Sequence, residues 1–182
     1  FLLLYTINFI LLNINEILCE SYIIVKINKS GRHNILFKGD ANDEPFCNGV
    51  QMHTPILMQI NDKIIDPPVA EYEFTSQKNI IKLEYEDTKI SFRRLFYNCS
   101  DIDEIDASNL NTSNANDMTY MFERCSSLTS LNVNNFNTEK IIYMRSMFGY
   151  CSSLSSLNIS HFNTPLLKDM AYVFRGCSNL TS

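Results

Sequence analysis

Glycine and proline are scarce in this 182-residue chain, at five residues each. That excludes a collagen-like or low-complexity disordered polypeptide. Positive charge is scarce too: 15 Lys and Arg stand against 20 Asp and Glu, for a net charge of −5 and an isoelectric point of about 5.2. No stretch gathers basic residues into the stripe that nucleic acids require, so nucleic acid is not an expected partner. Long apolar runs are missing as well. Residues 1–12 are apolar apart from Thr6 and Asn8, but the run ends at Asn13, Asn15 and Glu16, short of the roughly 20 residues that a transmembrane helix needs.

The signatures of chemistry are also missing. There is no P-loop, Gly-rich dinucleotide turn, H-E-x-x-H, G-x-S-x-G or C-x-x-C. His33, His53 and His161 are isolated. Glu71/Glu73 and Glu84/Glu86 lie at i, i+2 and alternate with Tyr72, Phe74, Leu83 and Tyr85, the pattern of a solvated strand face. Two carboxylates that cleave a glycosidic bond must instead oppose one another across the substrate. Asp101, Asp103, Glu104 and Asp106 lack the glycine and distal glutamate of a calcium loop. The chain is therefore expected to be no enzyme and to hold no cofactor or metal.

What the chain has instead is a repeat. Cys99, Cys125, Cys151 and Cys177 are spaced 26 residues apart, and Phe96, Phe122, Phe148 and Phe174 precede them by three. Leu95, Met121, Met147 and Val173 form another column, as do Phe92, Met118, Met144 and Met170. Ile102, Leu128, Leu154 and Leu180 follow the cysteines, then Ile105, Leu131 and Leu157, and an Asn-Thr pair recurs at 111–112, 137–138 and 163–164. So many apolar columns at one period mean stacked units, each burying its apolar edge against its neighbours.

Within a unit the period changes. Leu131 and Val133 alternate with Ser130, Asn132 and Asn134, which predicts a strand. Met118, Met121, Phe122 and Cys125 fall at i, i+3, i+4 and i+7, which predicts a short helix over about 117–124. The expected fold is an α/β solenoid, leucine-rich-repeat-like, with coils of strand, turn and short helix.

The consensus M-x-x-M-F-x-x-C-S-S-L-T-S-L-N-x-x-x-F-N-T, carried nearly intact by 118–138 and 144–164, resembles the repeat of the BspA-like leucine-rich-repeat surface proteins. The first unit departs from it, with Leu95 for Met and an acidic run for the serines. The resemblance covers about half of the chain. It implies surface display and recognition or adhesion, and a strand-rich segment before the repeats also resembles eukaryotic members of that family. It does not imply a particular ligand, because fold does not fix function.

The repeat cysteines, four of the six in the chain, would occupy one inward column about 4.8 Å apart along the stack. A ladder of buried free thiols is expected there rather than disulfides, whose geometry is narrow. A zinc site is disfavoured because a straight column does not converge on a point. Cys19 and Cys47 are left as an open pair.

Three regions follow. Residues 1–19 read as a signal peptide lacking its first residues, with a buried core segment as the alternative. Residues 20–90 read as a small antiparallel β domain that caps the first coil, with strands at 22–27, 34–38, 56–60, 63–65, 71–74 and 80–85 and a two-residue turn at Asn61-Asp62. Residues 91–182 read as about three and a half coils, with further coils expected beyond them. Asn28, Asn98, Asn111, Asn158 and Asn179 stand in N-x-S/T triplets and are candidate glycan acceptors in a secretory route.

Outward strand positions form three polar columns: Glu104, Ser130 and Ser156; Asp106, Asn132 and Asn158; Ser108, Asn134 and Ser160. Short side chains on a rigid sheet lose little entropy on binding. These columns are the candidate contact face for an extracellular protein or glycan, with any membrane anchor outside this stretch. The expected protein is a non-catalytic, secreted or cell-surface recognition protein. The alternative is an intracellular scaffold of the same fold.

Overall fold

The computed structural model describes residues 21–36, 55–85 and 90–182. The apolar leader, Cys19, Cys47 and His53 lie outside the described residues.

Alternation of buried and half-buried residues builds β1 (Tyr22–Ile27), whose Ile23, Val25 and Ile27 are fully buried. β1 pairs antiparallel with β6 (Asn79–Glu84), and β6 pairs with β3 (Leu57–Ile60). β3 continues through Asn61 and Asp62, at φ 48° and 64°, into β4 (Lys63–Ile65). Two successive left-handed residues match the right-handed twist of the flanking strands, so the hairpin closes without splaying. β2 (Gly31–Asn34) and β5 (Glu71–Phe74) form a separate two-stranded sheet. The sequence places the second strand at 34–38, whereas the ladder to β5 begins at Gly31 and ends at Asn34.

The sheet does not end with these strands. β1 pairs on its other edge with β7 (Glu104–Asp106) of the first coil, and β7 pairs in parallel with β8 (Ser130–Asn132) of the second, giving the order β4-β3-β6-β1-β7-β8. Glu104 faces Ser130, one repeat length later. Parallel bridges Ser91–Asp117, Asp117–Tyr143 and Tyr143–Asp169 tie a second side of every coil to the next. One apolar core runs through the whole, from Ile23, Met58 and Leu83 to Phe96, Phe122 and Phe148.

The short helices do not exist: among the described residues there is no helix, and the chain folds as a mixed sheet with stacked turns. The α/β solenoid with helical coils is thereby overturned. The backbone explains why. In the second coil Met118, Tyr120, Phe122 and Arg124 send their N–H groups to the carbonyls of Tyr143, Arg145, Met147 and Gly149 in the following coil, at 2.8–2.9 Å. The intervening Met121, Glu123 and Cys125 bond back three residues, to Met118, Tyr120 and Phe122. Every second N–H therefore leaves the coil, whereas an α-helix keeps each one for the carbonyl four residues back. Two residues per coil are also left-handed: Arg94, Tyr120, Ser146 and Tyr172 at φ 51–64°, and Asn98, Arg124, Tyr150 and Gly176 at φ 57–72°. Tight turns chained in this way place Met118, Met121, Phe122 and Cys125 inward, the same set that a helix would.

No helix of the described residues is long and apolar enough to cross a membrane.

Candidate functional site

An inner column of stacked side chains holds the outer faces of the coils in place. The rings of Phe96, Phe122, Phe148 and Phe174 stack at 5.8, 5.8 and 5.5 Å with planes within 9° of parallel. Aromatic pairs of this kind add about 0.5–1.5 kcal/mol each beyond burial. Beside them Cys99, Cys125, Cys151 and Cys177 are free. The Cys125 thiol donates to the carbonyl of Phe96 at 3.2 Å, Cys151 to Phe122 at 3.2 Å and Cys177 to Phe148 at 2.9 Å. Burial pushes all four thiols up, Cys151 to about 12. A thiol so far from ionising is a hydrogen-bonding rung and no nucleophile.

The Asn-Thr pair is a second rung. Thr112 Oγ1 accepts from the N–H of Asn137 at 2.8 Å and donates to its carbonyl at 3.1 Å. Thr138 treats Asn163 the same way, at 2.9 and 3.0 Å. Both threonines are 2% exposed.

Of the outward columns, Glu104 and Asp106 lie on β7 and Ser130 and Asn132 on β8, whereas Ser108, Asn134, Ser156, Asn158 and Ser160 lie outside the strands. Glu104 is half-buried and its carboxylate meets Lys26 Nζ at 2.5 Å, joining the first coil to β1. Asp106 Oδ1 accepts from the N–H of Ser108 (3.0 Å), the Ser108 hydroxyl (2.7 Å) and Asn132 Nδ2 (3.0 Å). Asn132 Oδ1 caps the N–H of Asn134, and Asn158 Oδ1 caps that of Ser160 and takes the Ser160 hydroxyl. Asn158 Nδ2 reaches Asn134 Oδ1 at 3.4 Å. Ser130 and Ser156 are exposed. Each member of the middle column thus caps the N–H two residues ahead, as Asn and Asp do in turns.

Among the sequons, Asn28, Asn98, Asn158 and Asn179 are exposed and Asn111 is half-buried, its Oδ1 taking the N–H and hydroxyl of Ser113. The acidic run of the first coil is engaged by the β strands before it. Lys29 Nζ lies 3.8 Å from Asp101 and 4.0 Å from Asp103, and His33 Nδ1 lies 3.0 Å from Asp101. No three His, Cys, Asp or Glu side chains among the described residues gather to hold a metal ion.

A further face was not read from the sequence. All five arginines after residue 90, Arg93, Arg94, Arg124, Arg145 and Arg175, lie on the turns. Each stacks over tyrosine. Arg94 sits 5.3 Å from the Tyr97 ring centre and 5.4 Å from that of Tyr120, which Arg93 also approaches at 5.4 Å. Arg124 covers Tyr150 at 5.5 Å, Arg145 covers Tyr172 at 4.9 Å, and Arg175 bridges Tyr150 and Tyr172 at 5.6 and 5.3 Å. Glu123 lies among them, its carboxyl raised by desolvation against the opposing pull of Arg124, the Ser146 hydroxyl, Arg94 and Arg145. The signal was present, since every unit carries at least one Arg and one Tyr between its apolar columns, but at shifting positions that a column-by-column alignment does not register.

The family described as "Mycoplasma protein of unknown function, DUF285" matches residues 88–182, more than half of the chain. The chain belongs to the DUF285 family. No curated protein and no solved structure matches it. The DUF285 match begins just before the first bridge residue, Ser91, and covers every coil described above. The repeat is therefore a family property, and its function is unknown.

Proposed function

We propose that this chain is part of a non-catalytic surface protein that recognises another protein or a glycan through the outer faces of its stacked coils. The finer likeness, to the BspA-like leucine-rich-repeat surface proteins, belongs to this reading and rests on the consensus of 118–138 and 144–164. The observation that carries it is the division of labour within each coil. Phe, Cys and Thr columns lock coil to coil. The outward positions between them differ in chemistry from unit to unit, as in Glu104, Ser130 and Ser156. A rigid frame with variable outer residues is what recognition uses, because ordering costs little there. Secretion is supported by the apolar run of residues 1–12.

A second reading, an intracellular scaffold, is favoured by the free state of Cys99, Cys125, Cys151 and Cys177. One experiment separates the two. The full-length protein, in the cells that make it, is labelled with a membrane-impermeant biotin reagent, and its mature N-terminus is sequenced. Labelling with a cleaved leader is the expected result. Protection from the reagent together with an intact leader ends the surface reading.

A further inference from the structure

We propose that the arginine–tyrosine turn face is a docking surface for an extended, acidic protein segment. The proposal rests on the recognition reading above but is independent of the compartment in which the protein is displayed.

Composition is the first support. Arginine and tyrosine are the residues in which binding energy concentrates at protein interfaces. The strand face has neither among Glu104, Asp106, Ser108, Ser130, Asn132, Asn134, Ser156, Asn158 and Ser160, whereas five of the chain's six arginines sit on the turns. Tyr150 is 36% exposed, and Arg124 is exposed beside it.

Backbone conformation is the second. Arg94, Tyr120, Tyr172, Arg124 and Tyr150 all occupy left-handed positions, at φ 57–64°. An L-residue there is disfavoured, and a bulky one is an outlier. Gly176 fills the equivalent position of the last coil and Asn98 that of the first, so residues suited to the turn are available. Large side chains held against the backbone's preference point to a use outside the fold.

Charge chooses the occupant. The face carries five arginines against Asp117, Glu123 and Asp169, which leaves it positive within a chain of net charge −5. Arg93 and Arg145 already face Asp117 and Asp169 at 3.8 and 3.5 Å. Acids scattered through the face repel a uniform polyanion such as single-stranded nucleic acid or a sulfated glycan. A polypeptide can set carboxylates against Arg124 and Arg175 and neutral side chains against the acids. Stacking on tyrosine occupies the flat face of each guanidinium, and its in-plane N–H edges are the donors that fit a carboxylate.

The test uses the full chain and a fluorescein-labelled random copolymer of glutamate and tyrosine, read by fluorescence anisotropy. Saturable binding is expected. The double variant Arg124→Gln/Arg175→Gln should weaken it about tenfold or more, while Ser130→Ala/Ser156→Ala should change it less than about twofold. Both arginines are exposed, and matching thermal melts check that the double variant folds. Tyr150→Leu gives an independent second loss without altering charge. Three results overturn the proposal: no saturable binding, equal loss from the strand-face variant, or dextran sulfate or oligo-dT binding as tightly as the copolymer. Biotin labelling of cells is untouched by any of these, so a failure here is distinct from a failure of the surface reading.

Discussion

Replacing Thr112 with valine tests the idea that a hydroxyl, rather than a methyl group, holds neighbouring coils together at the Asn-Thr pair. Valine keeps the shape and burial of threonine. It removes both contacts to Asn137, the acceptor at 2.8 Å and the donor at 3.1 Å. Two hydrogen bonds at about 1 kcal/mol each, plus the penalty for a peptide group left without its partner, amount to about 2–4 kcal/mol. Thr112→Ser keeps the hydroxyl and loses only a methyl group, at about 1 kcal/mol. Urea unfolding of the three proteins should therefore rank wild type above serine above valine with an unchanged dependence on urea. For a chain of this length the valine variant should melt roughly 4–16 °C lower. Thr138→Val, with the same two bonds to Asn163, should reproduce the result one coil later. A valine variant as stable as the serine variant would falsify the hydrogen-bonded rung and leave simple packing in its place.

Two further outcomes follow from the inner column and its turns. Because burial raises the thiols of Cys99, Cys125 and Cys151 above their unfolded value near 9.0, the folded state binds more protons than the unfolded one at alkaline pH. Stability is fully present below pH 9 and falls as pH rises beyond it, by about 1.4 kcal/mol per unit for each thiol. Urea titrations at pH 8 and pH 10 measure this, and a Cys125→Ala variant should show a shallower decline; identical curves at the two pH values would refute the buried column. At Gly149 an added Cβ would stand 2.2 Å from Ser146 Oγ and 3.3 Å from the Ser146 carbonyl. Gly149→Ala must push that hydroxyl aside, and should cost about 1–3 kcal/mol in a thermal melt; an unchanged melting temperature would mean that the turn is looser than described.

The repeat was legible because an in-register stack writes its core as columns. Cys125, Cys151 and Cys177 recur at one spacing since each donates into the turn of the coil before it, and Cys99 begins the same column. The strands of the first segment were legible for a similar reason, alternation such as Ile23, Val25 and Ile27 against Tyr22, Ile24 and Lys26. The helix was misread because apolar spacing reports which side chains face inward and not where the backbone N–H groups go. Met118, Met121, Phe122 and Cys125 satisfy both a helix and a chain of tight turns. Only the left-handed Tyr120 and Arg124 separate the two, and neither residue type announces positive φ. The middle column of the strand face was visible as polar, but its engagement in turns was not, because the bonds of Asp106, Asn132 and Asn158 run two residues ahead. The arginine–tyrosine face stayed hidden because pairing across coils lets either partner move between positions.

The alternation of outgoing and returning N–H groups along each turn has an evolutionary consequence. A single inserted or deleted residue between Met118 and Cys125 would swap the two sets, aim the inter-coil donors sideways and move both left-handed positions onto the wrong residues. The stack therefore tolerates a change in length as a whole coil of 26 residues, which restores the register, and tolerates smaller insertions only in the arcs outside the turns.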